Sequence, residues 1–157
     1  MNYLKLIVSI IICQAAGLIG SVFTAPSIQT WYVGLNKPFF VPPNWLFAPA
    51  WTTLFLLMGI SLYLVWNKGL KEQKNRCAIK IFGIQLVLNI VWSVIFFGLQ
   101  SPLYAFIEII ILWIAILGTI IKFHRVDKKA AYLLIPYILW VTFAAALNLA
   151  VYLLNAA

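Results

Sequence analysis

Charge is scarce in this sequence: only 9% of its 157 residues are charged, and Glu72, Glu108 and Asp127 are its only acidic ones. A soluble domain carries about 25% charged residues, so water is excluded as the main solvent of this chain. Histidine is limited to His124, in a basic loop, where it reads as a solvated or headgroup-facing side chain. Axial ligation of haem iron by a histidine at membrane depth is thereby excluded. Cys13 lies mid-span and Cys77 near the end of another span, giving neither a disulfide framework nor metal-ligand spacing. There is no glycine-rich phosphate loop, no Ser/His/Asp set and no cluster of His, Cys and carboxylates. No conventional catalytic residue and no metal site can be assigned.

What is abundant is apolar surface. The chain is 65% hydrophobic and its mean hydropathy is +1.04. A membrane span needs roughly 20 apolar residues, and five stretches qualify, at about 6–23, 46–66, 78–97, 103–121 and 130–154. Strands cannot satisfy their backbone singly in lipid, so the spans are read as helices. The expected fold is an all-α integral membrane protein, a bundle of five transmembrane helices forming one domain over residues 1–157. The first stretch is too long for the core of a signal peptide and is read as a retained span. Pro136 should kink the fifth span and open space for a cavity wall, whereas Pro49 should fall harmlessly in the first turn of the second.

All Lys and Arg except Lys37 fall on one side of such a bundle: Lys5, the loop from Lys68 to Lys80, and the loop from Lys122 to Lys129. This bias predicts a multi-pass protein of the cytoplasmic membrane, N-terminus inside and C-terminus outside. The net charge of +8 is therefore a topology signal facing anionic membrane lipid, and no nucleic-acid partner is expected.

Between the first two spans lies a loop of unusual content, Pro26 to Trp45, reading PSIQTWYVGLNKPFFVPPNW. Flexible linkers are rich in Gly and Ser. Here Trp31, Tyr32, Phe39, Phe40 and Trp45 alternate with prolines that fix φ, which predicts a lid of one shape over something apolar. Trp31, Trp45 and Trp66 also suit an interfacial aromatic belt.

Within the spans, the helical period places Gln85, Asn89, Trp92 and Phe96 on one face, Trp51, Phe55 and Met58 on a second, and Trp140, Ala144, Leu147 and Val151 on a third. Tyr137 lies one turn before Trp140. Amides at membrane depth, including Gln14 and Asn148, must face the bundle interior, where they either bond between helices or orient a ligand. Ala16–Gly20 and Gly17–Ser21 give the first span a close-packing face. Glu108, the one intramembrane carboxylate, should be neutral and turned inward or interfacial.

Three stretches carry a resemblance. Trp31-Tyr32-x-x-Leu35-x-Lys37-Pro38-x-x-x-Pro42-Pro43-x-Trp45-x-Phe47-x-x-x-Trp51, then Gln85-Leu86-x-Leu88-Asn89-x-x-Trp92-Ser93-x-x-Phe96-Phe97, then Pro136-Tyr137-x-Leu139-Trp140-x-x-Phe143-Ala144-x-x-Leu147-Asn148 resemble, in order, the motifs of the TspO/MBR family of tryptophan-rich sensory proteins, in a bacterial-type form. The resemblance implies a homodimer with an outer cavity that takes protoporphyrin IX or haem as ligand rather than as obligatory cofactor. Benzodiazepine-type and isoquinoline carboxamide compounds would share that cavity. Ligand-binding residues implied by motif and face are Tyr32, Trp51, Phe55, Asn89, Trp92, Trp140, Phe143 and Ala144. Two alternative functions go with it: transport of porphyrins or other apolar metabolites, and slow light-dependent porphyrin degradation, with Trp51 and Trp140 as the redox-active rings. Leu147 and Tyr152 lack a following Lys or Arg, so sterol binding through the family's animal-type motif is not expected.

Overall fold

Hydrocarbon forces each backbone segment to satisfy its own N–H and C=O groups, and the five apolar stretches accordingly become five helical spans. The computed structural model describes residues 1–157. It contains α1 (Tyr3–Gln29), α2 (Asn44–Asn67), α3 (Gln73–Ser93), α4 (Pro102–His124), α5 (Lys128–Leu133) and α6 (Ile135–Asn155), without strands. Each of the five spans is long and apolar enough to cross a bilayer, α5 and α6 together forming the fifth.

Helix boundaries depart from the sequence reading at four places. The lid does not begin at Pro26, because α1 runs through that proline to Gln29. So near a helix end the missing N–H costs one bond, from the carbonyl of Val22, and the segment is held from outside: Ser27 Oγ donates to the carbonyl of Phe97 at 2.8 Å. The loop outside the helices narrows to residues 30–43, with a 3₁₀ turn at Tyr32–Gly34. At its far end, Pro43 sets extended backbone at φ −59° and ψ 144° and α2 starts immediately after it. Pro49 consequently lies in the second turn of α2, not the first.

The third departure is at the end of α3, which continues as a π-helical turn, Val94–Gly98, closed by the Leu99 amide on the Val94 carbonyl at 2.8 Å. Only Leu99–Ser101 then link to α4, with Gln100 in the left-handed region at φ 53°. Fourth, the fifth span is broken rather than kinked. The interruption falls at Leu134, whose amide turns back to the Ala131 carbonyl at 3.1 Å, and Pro136 sits in the first turn of the new helix.

That break divides the span by role. α5, capped by Asp127 on the amides of Lys129 and Ala130, packs against α2 and α4. Ser61 Oγ pins it by donating to the Ala130 carbonyl at 2.7 Å. This half of the bundle, which carries the basic loops, is filled by Met58, Leu62, Val65, Ile116 and the stacked rings of Phe82 and Phe123, 5.6 Å apart. Close helix approach helps: a Cβ on Gly59 would lie 2.7 Å from the Cα of Ile10, so α1 and α2 meet backbone to backbone there. Beyond the break, α6 packs on α4 and meets α2 through the rings of Trp51 and Trp140. The main cavity lies between these rings, α1 and the end of α3.

Candidate functional site

A cavity of about 410 Å³ opens in the half of the bundle away from the basic loops, bounded by α1, α2, α3 with its π turn, α6 and Tyr32 of the lid. Its size lies within the usual range for small-molecule sites, about 300–1,000 Å³. All eight residues singled out from the sequence line it: Tyr32, Trp51, Phe55, Asn89, Trp92, Trp140, Phe143 and Ala144.

The rings fall into two groups. One belongs to α2 and α6: Trp51 lies 5.6 Å from Phe55 and 6.5 Å from Trp140, which in turn is 6.2 Å from Phe47 and 5.6 Å from Phe143. The other gathers at the end of α3: Trp92 stacks on Phe96 at 5.1 Å, Phe96 and Phe97 meet at 4.8 Å, and Tyr32 descends from the lid onto both. The π turn makes this second group possible. It adds a residue to the turn, so the adjacent Phe96 and Phe97 are both buried against Tyr32.

Polar groups in the wall are mostly engaged by the protein itself. Trp92 Nε1 donates to Asn148 Oδ1 at 3.0 Å, and Asn148 Nδ2 donates to the Pro102 carbonyl at 2.8 Å. Gln14 Nε2 is taken by the Thr52 carbonyl at 3.1 Å. Asn89 Nδ2 donates to Tyr137 Oη, which donates to Gln85 Oε1, both at 2.8 Å. With Nδ2 committed to that buried chain, Asn89 has its carbonyl Oδ1 left for the cavity. Gln85, on the same helical face, lies deeper and reaches the site only through Tyr137. Met58, likewise on the Trp51 face, belongs to the core below.

The lid is braced within itself and tied to α6. Lys37 Nζ lies 4.8 Å from the centre of the Tyr32 ring, a cation–π distance. Burial pushes the Tyr32 phenol above its ordinary pKa, which keeps the hydroxyl protonated. Asn155, at the end of α6, accepts from the Asn36 amide at 3.0 Å and donates to the Asn36 carbonyl at 2.9 Å. Phe40 leans on Phe143 at 6.2 Å, whereas Phe39 points fully outward and Trp45 is largely exposed.

Glu108 is buried on α4, both its oxygens lack a hydrogen-bond partner, and it does not line the cavity. The first span contributes what the sequence reading passed over. Gly20, Ser21 and Thr24, read as a packing face or not singled out, form cavity wall, and so do Asn44 and Phe47 at the start of α2. Small residues admit either use, and only the spacing of neighbouring helices decides between them.

Comparison with known proteins agrees with the architecture. The profile of the TspO/MBR family matches residues 9–154. A tryptophan-rich protein TspO of Archaeoglobus fulgidus is 53% identical over 99% of this chain and 100% of its own length. The human translocator protein is 36% identical over 85% of this chain and 80% of its own. A tryptophan-rich sensory protein of Cereibacter sphaeroides is 34% identical over 80% of this chain and 77% of its own. Five apolar spans, the paired aromatic walls and matches of this extent lead to one assignment: the chain is a multi-pass membrane protein belonging to the TspO/MBR family.

Proposed function

We propose that the protein is a membrane-embedded binding and sensing protein for tetrapyrroles such as protoporphyrin IX, and that the same cavity accepts flat synthetic aromatic ligands. The observation that carries this reading is the pair of aromatic walls with most polar groups between them already engaged and the Asn89 carbonyl left free. Such a site recognises a ligand by area and flatness, and each stacked or edge-on ring pair adds about 0.5–1.5 kcal/mol beyond burial. Propionate groups would lie toward the lid, where Lys37 is the one cation on that side of the bundle. The names sensory protein and translocator protein among relatives agree with a ligand-binding role. The basic loops argue for a cytoplasmic membrane location with the lid outside.

Purified protein should quench protoporphyrin fluorescence saturably. Replacing both rings, Trp51→Ala with Trp140→Ala, should weaken binding by at least about tenfold, from some 1.4 kcal/mol per factor of ten. Unchanged affinity in that double variant would overturn the placement of the site.

A second reading, light-dependent breakdown of bound porphyrin, has one observation in its favour: two indoles 6.5 Å apart in the wall. Following porphyrin absorbance under illumination, with the double variant as comparison, separates photochemistry from binding alone. Transport has less support, since the basic half of the bundle is closed by the Met58, Phe82 and Phe123 core.

A further inference from the structure

A second cavity of about 240 Å³ lies at the opposite end of the molecule, beside the break in the fifth span. Ile120 and Ile121 of α4, Ala131 of α5 and Ile135 of α6 give it an apolar interior, and His124, Arg125 and Tyr132 form its polar edge. The break at Leu134 creates it. Tyr132 and Ile135 fall on different helices there, and the space between them is closed on one side by the last turn of α4.

Its electrostatics are one-sided. The molecule has two salt bridges, Lys68 to Asp127 at 3.4 Å and Lys74 to Glu72 at 2.9 Å. Asp127, the acidic residue nearest in sequence, is therefore engaged by Lys68 and by the amides at the start of α5. Arg125, Lys122, Lys128 and Lys129 are left without an acidic partner. The His124 ring lies edge-on to Tyr132 at 6.2 Å. An apolar slot at the edge of the bilayer, roofed by an unpaired guanidinium, an imidazole and a phenol, matches an amphiphile with a phosphate head: Arg binds phosphate through paired N–H groups, and basic pockets between spans on the basic side are suited to anionic lipid heads.

We propose that this cavity is a binding site for one anionic phospholipid, its phosphate at Arg125, His124 and Tyr132 and the start of an acyl chain against Ile120, Ile121 and Ile135. The site is separate from the aromatic cavity and does not depend on what that cavity binds.

The test uses full-length protein, stripped of lipid and then exposed to phosphatidylglycerol or to phosphatidylcholine of the same chains, with bound lipid counted by native mass spectrometry. Wild type should retain one phosphatidylglycerol in preference to phosphatidylcholine. Arg125→Gln should reduce that retention about five- to tenfold, the worth of one arginine at an anionic surface. Lys71→Gln, an equal loss of charge on the other basic loop, should leave it unchanged, and both variants should melt as wild type does. Equal loss in the two variants would overturn the proposal in favour of diffuse attraction. Equal retention of phosphatidylcholine would reduce the cavity to an apolar groove. Displacement of the lipid by soluble glycerol phosphate at comparable concentration would mean that the apolar interior contributes nothing, which also overturns it.

Discussion

At the scale of single residues, two side chains decide how the aromatic cavity fits its ligand. Ala144 lies one turn from Trp140 and lines the wall, so its methyl sets the width beside that ring. Ala144→Phe should overpack the liganded state by about 1–3 kcal/mol, as small-to-large changes in packed interiors do. Porphyrin affinity should therefore fall about ten- to hundredfold with a near-native melting temperature. A fall in melting temperature with affinity intact would instead place Ala144 at a helix seam. Tyr137 is fully buried and touches no ligand space, yet it holds the Asn89 amide. Tyr137→Phe leaves Asn89 Nδ2 and Gln85 Oε1 without their partner, at about 1–3 kcal/mol for each buried group. Thermal melts should show lower stability. Ligands that hydrogen-bond Asn89 should weaken, while close analogues held by stacking alone keep their affinity. The candidate faces were legible in the sequence because aromatics and amides recur at the helical period. The Gln85–Tyr137–Asn89 chain was not, since a period reports that residues share a face and says nothing of the partner 48 residues away.

Among the elements, the lid and the broken fifth span act together. The only hydrogen bonds tying the loop to α6 run between Asn36 and Asn155, with a weaker one to Leu154. Removing the side chain in Asn155→Ala deletes its two bonds to the lid, roughly 0.5–1.5 kcal/mol each. The lid should open more often. Stopped-flow measurements should find ligand association and dissociation both accelerated, by about tenfold, with a much smaller change in equilibrium affinity. A loss confined to affinity, with rates of entry untouched, would show that the lid is not the gate. The sequence announced an ordered loop through its prolines and rings. Its true start was hidden because Pro26 reads as a breaker, and only the distant Phe97 carbonyl, taking the Ser27 hydroxyl, explains why the helix continues. The division of the fifth span was half visible: Pro136 marked the place, but whether a proline bends a helix or begins a new one depends on the anchoring of the segment before it, here by Ser61.

For the molecule as a whole, orientation is the property that the charge pattern predicts. Cys77 is exposed near the basic end and Cys13 is fully buried. A membrane-impermeant maleimide should therefore leave sealed right-side-out vesicles unlabelled and react at Cys77 once they are inverted or permeabilised. Labelling of intact right-side-out vesicles would reverse the topology. Fold class was the most legible level of all, because five apolar runs with few charges admit one solution in lipid. The placement of two cavities at opposite ends was not legible, since both arise from how far neighbouring helices stand apart.

The π turn at Val94–Gly98 also has a consequence in terms of sequence length. It is equivalent to one residue more than a regular helix would hold, so this stretch of α3 has a reading frame of its own. Upstream of the turn, Gln85, Asn89 and Trp92 keep the phase of an ordinary helix. Within the turn, the phase is offset by the extra residue, and that offset is what brings Phe97 under Tyr32. A chain shortened by one residue here could form a more regular helix and still span the bilayer, but Phe97 would rotate off the lid. Natural length variation among related chains should therefore be tolerated in the basic loops and resisted within these five residues.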